Sequence, residues 1–193
     1  KGRRGATQGG LVTLIRRSAR IRVLDNTMFG KRIQVLRAKH KFGRKTLFVL
    51  NVHTPNQKAE YDEQERPKFF ENLRRALETR KSGEALVIAG DYNTGLPRLG
   101  SSDAVVGLFG QKRKSDHILT AESNEGRWRD VLEDARATVA HSHFQLRWSR
   151  QWTHIAASET KKRTIKDHIA TRDLRIIRAK VFGGATLRNS DHR

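Results

Sequence analysis

The sequence predicts an α/β protein, because two kinds of apolar periodicity alternate along it. Short apolar runs rich in β-branched residues, the clearest at 45–52 and 85–89, are typical of buried strands. Two other segments place apolar residues three and four positions apart, which is typical of amphipathic helices. With 193 residues and 36% apolar content, the chain can build one core, so we expect a single domain over residues 1–193.

Strands are predicted throughout the first third of the chain. The extended segments lie at 10–15, 32–38 and 45–52. The third is almost entirely apolar and ends shortly before Pro55, so we expect it to be buried on both faces of its sheet.

A first helix is predicted around residues 62–80. Asp62 and Glu65 have the spacing of a capping box, and Pro67 lies near the first turn, where its missing N–H costs least. One helical face is apolar and consists of Phe69, Phe70, Leu73 and Leu77.

The second half carries a strand, an irregular stretch, a helix and further strands. The strand at 85–89 is followed by a glycine-rich, irregular stretch at 95–110. A second helix is predicted to start just after Gly126, from the helical spacing of Trp128, Val131, Leu132, Ala135 and Val139. Three more extended segments are expected near 151–155, 164–170 and 174–182.

The charge of the chain points to a polyanionic partner. There are 40 Lys and Arg against 20 Asp and Glu, a formal net charge of +20. So many like charges repel one another, and this is tolerated mostly by proteins that bind polyanions. We therefore expect nucleic acid as the partner, ahead of an anionic membrane surface. Individually the basic clusters are expected to be solvated, and together to contact phosphates; they are Arg16-Arg17, Arg74-Arg75, Lys112-Arg113-Lys114 and Lys161-Lys162-Arg163.

Several classes of protein are excluded or disfavoured by composition. No stretch approaches the roughly 20 apolar residues of a membrane span, so we expect no membrane insertion. The absence of cysteine excludes disulfides, thiolate nucleophiles and cysteine-ligated zinc. The basic start at Lys1, without a Met, indicates a piece of a longer protein.

Four polar clusters follow or end predicted strands. Phosphodiester hydrolysis needs a base for water, donors for the phosphoryl oxygens and usually a divalent cation. An Asp two residues before an Asn, in a turn tight enough to need a glycine, can supply base and donor together. The clusters are Asn51-Val52-His53-Thr54-Pro55-Asn56, Gly90-Asp91-Tyr92-Asn93, Ile165-Lys166-Asp167-His168-Ile169 and Ser190-Asp191-His192.

The order of these clusters, with Trp152-Thr153 before the third, resembles the endonuclease/exonuclease/phosphatase superfamily. Within it, the chain is most similar to the apurinic-type endonuclease domains that precede the reverse transcriptase of non-LTR retrotransposons. Three intervening segments also look like the RTE-like branch of that group: Val106-Gly107-Leu108-Phe109-Gly110, Asn124-Glu125-Gly126-Arg127-Trp128 and the stretch from Thr138 to Phe144.

This resemblance implies a four-layer α/β sandwich of two mixed β-sheets flanked by helices, and a nuclease that depends on Mg²⁺ or Mn²⁺. By position, Asp91 would activate the attacking water and Asn93 would donate to the phosphate. His192 would contact the scissile phosphate while Asp167 holds its ring, and Asp191 would bind the metal ion.

The remaining assignments concern the first cluster and its departures from the family. Asn56, with Asn51 in the preceding strand, would bind the substrate phosphate. His53 stands where the family usually has Tyr and would support the phosphate or the leaving oxygen. The family's upstream Asn and metal-binding Glu have no match in residues 1–30, so we expect the first strands to be missing and metal affinity to be low in this span.

Simpler interpretations stay open for several of these residues. Asp91 and Asn93 can form an ordinary turn, and His53 can simply end a strand. His168 is expected to point outward from an alternating strand, and the segment 141–143 to be a partly exposed strand rather than a metal site. The tract 146–152 interleaves aromatic and basic residues, which suits either single-stranded nucleic acid or core packing.

Three functional hypotheses follow. The first is a DNA-nicking endonuclease domain of a retroelement, nuclear if its host is a eukaryote and followed by a reverse transcriptase domain. The second is a nucleic-acid-binding relic of that domain without catalysis. The third is a phosphatase or phosphodiesterase that acts on a small phosphate ester.

Overall fold

The described part of the chain forms a mixed β-sheet with helices packed on it, which confirms the predicted α/β class. The computed structural model describes residues 10–57, 63–112, 118–145, 153–155 and 163–178, without the side chains of Ile155 and Arg163. Its elements are β1 (Ile21–Met28), β2 (Ile33–His40), β3 (Thr46–His53), α1 (Glu65–Glu78), β4 (Ala85–Asp91), α2 (Asn124–Asp134), β5 (Thr138–Val139), β6 (His154–Ile155), β7 (Arg163–Thr164) and β8 (Asp167–Arg172).

Six strands form one sheet in the order β1-β2-β3-β4-β8-β5. Strands β3 and β4 are parallel and are connected through α1, whereas the other neighbours pair antiparallel. Strands β6 and β7 form a separate two-stranded ladder, which is the other sheet within the described residues. Of the two sheets expected for a four-layer sandwich, the described residues therefore contain one large sheet and one short ladder.

One face of the large sheet carries the core. Val35, Leu50, Ile88 and Ala170 lie side by side across four strands and are almost fully buried. Helices α1 and α2 cover this face with aromatic and aliphatic side chains, chiefly Phe69, Phe70, Leu73, Trp128, Val131 and Leu132. The apolar helical faces that the sequence predicts are thus the faces that build the core.

The opposite face of the sheet is more polar and less covered. Strand β3 alternates, with Val49 and Asn51 only partly buried between fully buried neighbours, so the prediction that 45–52 is buried on both faces is wrong. Ile169, on the same face, is 51% exposed. A strand inside a sheet is therefore not always buried on both faces, because each face needs its own layer of packed side chains.

The predicted strand at 10–15 is also wrong, since residues 10–16 belong to no strand or helix. The segment is bound to the sheet through side chains instead of a backbone ladder. Asn51 Nδ2 donates to Val12 O at 3.2 Å and to Thr13 Oγ1 at 3.1 Å, and Thr13 Oγ1 donates to Gln34 Oε1 at 2.8 Å.

Helix α1 begins three residues later than predicted, and its N-cap is Gln64, whose side chain makes no capping bond. Glu65, the expected acidic member of a capping box, instead binds Arg32 with Nε and Oε2 3.1 Å apart. Its intended partner Asp62 lies outside the described residues. Pro67 is the third residue of the helix, as its position in the first turn predicts.

Helix α2 begins earlier than predicted, at Asn124, because Ser123 is a good N-cap whose hydroxyl accepts from Gly126 N at 3.0 Å. A Cβ on Gly126 would lie 2.3 Å from Thr120 O, so this glycine permits a close backbone approach and does not end the helix. The helix stops at Asp134, and Val139 belongs to β5.

Other departures fall at the edges of the sheet. Strand β1, an exposed hairpin partner of β2, has no clear apolar alternation in its sequence and is missed by a periodicity argument. Residues 174–178 form no strand, and the rest of the predicted segment 174–182 lies outside the described residues, as does the tract 146–152. None of the described helices is long and apolar enough to cross a membrane.

Candidate active site

Three of the predicted catalytic residues lie side by side at the ends of adjacent strands. His53 ends β3, Asp91 ends β4 and Asp167 begins β8, and the register pairs His53 with Asp91 and Asp91 with Asp167. Because side chains of paired residues point to the same face, all three lie on the face opposite the core. His53 Nε2 is 4.0 Å from Asp91 Oδ2, with the imidazole half exposed and the carboxylate mostly buried.

Gly90 is what allows the two parallel strands to approach at this point. Its φ is +140°, and a Cβ built on it would lie 2.0 Å from Val52 O, across the ladder. Every side chain larger than hydrogen would collide with the backbone of the neighbouring strand. The glycine therefore places Asp91 beside His53.

The turn after β4 is cross-linked to the loop after β3. Asp91 Oδ1 accepts from the backbone N of Asn93 at 2.7 Å, and Asn93 adopts a left-handed conformation with φ +50°. Asn93 Nδ2 donates to Thr54 O at 2.7 Å. The Asn93 amide carries a second hydrogen, which is the donor available for a phosphoryl oxygen. The Asp91–Asn93 segment is thus a real turn and also a bridge between two predicted clusters.

Thr153 holds the third strand end in place. Its Oγ1 accepts from the backbone N of both Lys166 and Asp167, each at 3.0 Å. The backbone N of Tyr92 donates to Lys166 O at 2.9 Å, which connects this end to the turn after β4. No role for Thr153 follows from the sequence, and its place in the ordered motif series is the only signal that singles it out.

Two basic residues, Lys166 and Arg32, are connected to the ends of β8 and β3 through the chain or the backbone, and their side chains bind other residues. Lys166 Nζ is 3.3 Å from His154 Nε2, and the ring of His154 is also 3.1 Å from Thr164 Oγ1 through Nδ1. On the other side, Arg32 O accepts from the backbone N of His53 at 3.0 Å, and its guanidinium binds Glu65.

The two predicted substrate-binding asparagines differ in position. Asn51 lies two residues before His53 on the same face of β3, where its amide binds the segment at Val12 and Thr13. Asn56 lies beyond the strand and is exposed. Their roles toward phosphate stay predictions, as do those of His192 and Asp191, which lie outside the described residues.

A stack of buried rings lies beneath the sheet face that carries His53, Asp91 and Asp167. Tyr92 stacks on Trp128 with centroids 3.8 Å apart and an angle of 6°, and its hydroxyl donates to Ile88 O at 3.1 Å. Burial raises the pKa of Tyr92 far above its usual value of 10.0. The core thus holds the middle residue of the Asp91–Asn93 turn from below.

His168 belongs to this stack, so the prediction that it points outward is wrong. Side chains alternate along a strand. Since Asp167 lies on the face opposite the core, the next residue, His168, must point into the core. His168 is buried, and its Nε2 lies 3.0 Å from Thr94 O. Burial, followed by the positive charge that His141 would carry, lowers its pKa to about 3.

The segment 141–143 is a 3₁₀ turn and not the expected strand. The ring of His141 stacks on His168 with centroids 5.4 Å apart, and burial, with a smaller effect of His143, lowers the pKa of His141 to about 4. Among the described residues, no group of three or more His, Asp or Glu side chains is arranged to hold a metal ion.

A buried ion cluster that the sequence analysis missed fixes the loop between β4 and α2. Arg129 Nη1 lies 3.1 Å from Asp103 Oδ2, and Arg129 Nε lies 3.4 Å from Glu125 Oε1, with all three side chains almost fully buried. Burial alone would raise the pKa of Asp103, but backbone N–H donors from Leu99, Val106 and Val105 together with Arg129 hold it below 3.8.

Comparison with known proteins identifies a transposon-encoded relative. The chain is 31% identical over 172 residues to the Transposon TX1 uncharacterized 149 kDa protein of Xenopus laevis, a match that spans 86% of this chain and 12% of that protein. No profile of a known protein family matches the chain.

Several solved structures are similar to part of the chain at low identity, each with a TM-score below 0.5. TDP2 of D. rerio, solved with a single-strand DNA product, is 13% identical with a TM-score of 0.46 over 81% of this chain and 55% of that one. The human Nocturnin catalytic domain is 9% identical, with a TM-score of 0.46 over 80% of this chain and 49% of that one. An endonuclease/exonuclease/phosphatase family protein from Bacteroides thetaiotaomicron is 10% identical, with a TM-score of 0.47 over 81% and 53%.

The chain therefore spans about half the length of the solved structures it matches and a small part of the transposon protein. Its strand ends bring His53, Asp91 and Asp167 into one row in the order that the motifs require. The predicted resemblance is confirmed to this extent: the chain is similar to a transposon-encoded protein and to a solved endonuclease/exonuclease/phosphatase family protein.

Proposed function

We propose that the chain hydrolyses phosphodiester bonds in DNA, as the endonuclease domain of a non-LTR retroelement that depends on Mg²⁺ or Mn²⁺. The observation that carries this proposal is the row of His53, Asp91 and Asp167 at three adjacent strand ends, with Asn93 bound to the loop that follows His53. In the parent protein, a reverse transcriptase domain follows the nuclease, and the site of action in a eukaryotic host is the nucleus.

Each residue of the row has a chemical task in this mechanism. Asp91 accepts the proton of a water molecule, whose oxygen forms the new bond to phosphorus while the bond to the leaving 3′ oxygen breaks. Asn93 donates its second amide hydrogen to a phosphoryl oxygen, and His53 supports the leaving oxygen, which must gain a proton. Asp167 orients His192, the predicted contact of the scissile phosphate.

The described residues fit a divalent cation in part. The carboxylates of Asp91 and Asp167 are hard oxygen ligands on neighbouring strands, of the kind that Mg²⁺ and Mn²⁺ prefer. Asp191, the one residue predicted from the sequence to bind the metal ion, lies outside the described residues. When bound, the cation would neutralise charge that develops on the phosphoryl group.

DNA is the proposed substrate because of charge and relationship. The formal charge of +20 suits a polyanion. The sequence relative is encoded by a transposon.

The test is nicking of supercoiled plasmid by the full-length parent protein in Mg²⁺. Asp91→Asn removes the base with little change in shape, and we expect the rate to fall by about 10² or more. Asp130→Asn, which makes the same charge change at an exposed position on α2, is the matched control and should cleave like the wild type. Equal rates for both variants would overturn the assignment of Asp91.

A second candidate, a DNA-binding relic without catalysis, is favoured by the lack of a three-residue metal cluster among the described residues. It predicts DNA binding that persists in EDTA and no cleavage by the wild type in either metal. If a small phosphate ester is the true substrate, the protein should hydrolyse that ester in preference to plasmid DNA when both are present.

A further inference from the structure

Helix α2 reaches the loop after β3 with two side chains one turn apart. Asn124 Nδ2 donates to Pro55 O at 2.9 Å, and Trp128 Nε1 donates to Thr54 Oγ1 at 3.1 Å. Residues four apart lie on one face of a helix, so both can reach the same loop. The four residues in these two bonds are all buried.

Trp128 also contacts the second loop of the site. Its ring lies flat against Tyr92, 3.8 Å away, and Tyr92 is the residue between Asp91 and Asn93. A single buried side chain therefore contacts both the loop that follows His53 and the turn that carries Asp91.

The two loops are also connected to each other directly. Thr54 N donates to Asp91 O at 2.9 Å, and Asn93 Nδ2 donates to Thr54 O at 2.7 Å. Thr54 thus has its backbone bound by the Asp91–Asn93 turn on one side and its hydroxyl bound by Trp128 on the other. Because these bonds are buried, losing one partner costs more than it would at the surface.

Neither Asn124 nor Trp128 can act on a substrate itself. Trp128 is in the core, on the sheet face opposite His53 and Asp91, and Asn124 is fully buried at the start of α2. Any effect of these two residues on activity must therefore act by positioning the loop after β3 and the Asp91–Asn93 turn.

We propose that Asn124 and Trp128 are positioning residues, which fix the His53–Asn56 loop relative to the Asp91–Asn93 turn and so set the geometry of the site. This proposal rests on the proposed function for its effect on catalysis. The segment Asn124–Trp128 resembles the family in sequence, but no role follows from that resemblance. Its contacts with the two loops give it a structural role.

The first experiment measures backbone order and needs no activity. Hydrogen exchange is followed at the amides of Thr54 and Asn93 in Asn124→Ala, in Trp128→Phe, which keeps a ring but removes the N–H, and in Val131→Ala. Val131 is a core residue of the same helix without a hydrogen bond to either loop, so it controls for general loss of stability.

We expect exchange at Thr54 and Asn93 to rise about tenfold or more in Asn124→Ala and Trp128→Phe, relative to Val131→Ala at equal global stability. Exchange that rises no more than in Val131→Ala would overturn the proposal. Thr54→Val and Trp128→Phe together form a double-mutant cycle. If the Trp128–Thr54 hydrogen bond carries the effect, the exchange rates of the double variant should match those of the single variants. Fully additive increases in exchange would count against the proposal.

The second experiment separates catalysis from binding in the full-length parent protein. We expect kcat for plasmid nicking to fall by about 10- to 100-fold in Asn124→Ala, with the Kd for DNA within about threefold of the wild type, because misplacement of catalytic groups affects the transition state more than binding. A parallel fall in affinity and kcat would contradict a positioning role. If the wild type itself never cleaves DNA while the exchange result holds, the proposed function fails and the structural role of the two residues stands.

Discussion

At the scale of single residues, the site depends on a few positions where backbone geometry leaves no alternative. Gly90 is the clearest, since both its φ and its distance to Val52 O exclude a side chain. A glycine next to an Asp at a strand end is visible in the sequence as a turn signal. That the glycine faces a neighbouring backbone is decided by the pairing of β3 with β4, which no local pattern reports.

Gly90→Ala should therefore be much more destabilising than an ordinary glycine replacement. We expect a loss of at least about 2 kcal/mol in the free energy of unfolding, because a methyl group would overlap the Val52 carbonyl. The matched control is Gly83→Ala: Gly83 also has positive φ, +81°, but has nothing within 4 Å of the added Cβ. Its cost should be limited to about 1–2 kcal/mol of backbone strain. Urea unfolding of both variants decides the matter, and similar losses would contradict the close-approach argument.

At the scale of elements, helix α2 has two separate tasks. Its first turns hold the loop after β3, and Arg129 on the same helix binds the loop between β4 and α2 through Asp103. The apolar spacing of the sequence predicts that this helix packs on the core, and it does. It does not predict that buried polar groups on the helix organise the loops around it, because a charged residue in a helix is usually an exposed one.

The buried Arg129 cluster predicts a large loss of stability when Arg129 is replaced and a small loss when Arg127 is replaced. Arg129→Met should cost about 3–5 kcal/mol, since it leaves the buried carboxylates of Asp103 and Glu125 without their partner. Arg127→Met, at a partly buried position of α2, removes an ion pair to the exposed Glu122 and should cost no more than about 1 kcal/mol. Thermal and urea unfolding of the two variants measure the difference. Equal losses would mean that the buried cluster contributes no more than a surface ion pair.

At the scale of the whole molecule, the buried His168 and the partly buried His141 are neutral at pH 7. His141 and His168 stack on each other, with His143 and Asp167 as their charged or titratable neighbours, and burial lowers both pKa values well below 6.5. The unfolded chain binds protons at these positions from pH 6.5 downward, whereas the folded chain does so only near pH 4 and pH 3. Between these limits the unfolded state holds more protons, so stability must fall as the pH falls.

We expect the free energy of unfolding to decrease below pH 6.5, by about 1.4 kcal/mol per pH unit for each of the two histidines. Urea titrations between pH 7 and pH 4.5 measure this slope. His141→Phe keeps a ring in the stack and removes one titrating group, so its slope should be smaller than that of the wild type. An unchanged slope in this variant would show that other groups control the acid response.

The sequence by itself determined the α/β class, the two core-forming helices and the identity of the site motifs. The presence of helices α1 and α2, although not their bounds, follows from apolar spacing, and strands β2, β3 and β4 follow from apolar runs, because local periodicity reflects burial directly. The family resemblance carried by the motif order predicts Asp91, Asn93, His53 and Asp167 as members of one site, and their functional roles stay predictions. Strand β1, the 3₁₀ turn at 140–143 and the lack of a strand at 10–15 escaped this reasoning, since their contacts are not periodic.

Only the tertiary structure decided how these residues meet. The register of β3, β4 and β8 places His53, Asp91 and Asp167 in one row, and the same alternation sends His168 into the core. The contacts of Asn124, Trp128 and Thr153 with the site loops are equally absent from any local pattern. The physical reason is the same in each case: pairing between strands and buried hydrogen bonds join residues that are far apart in the chain, and short-range sequence patterns carry no record of such partners.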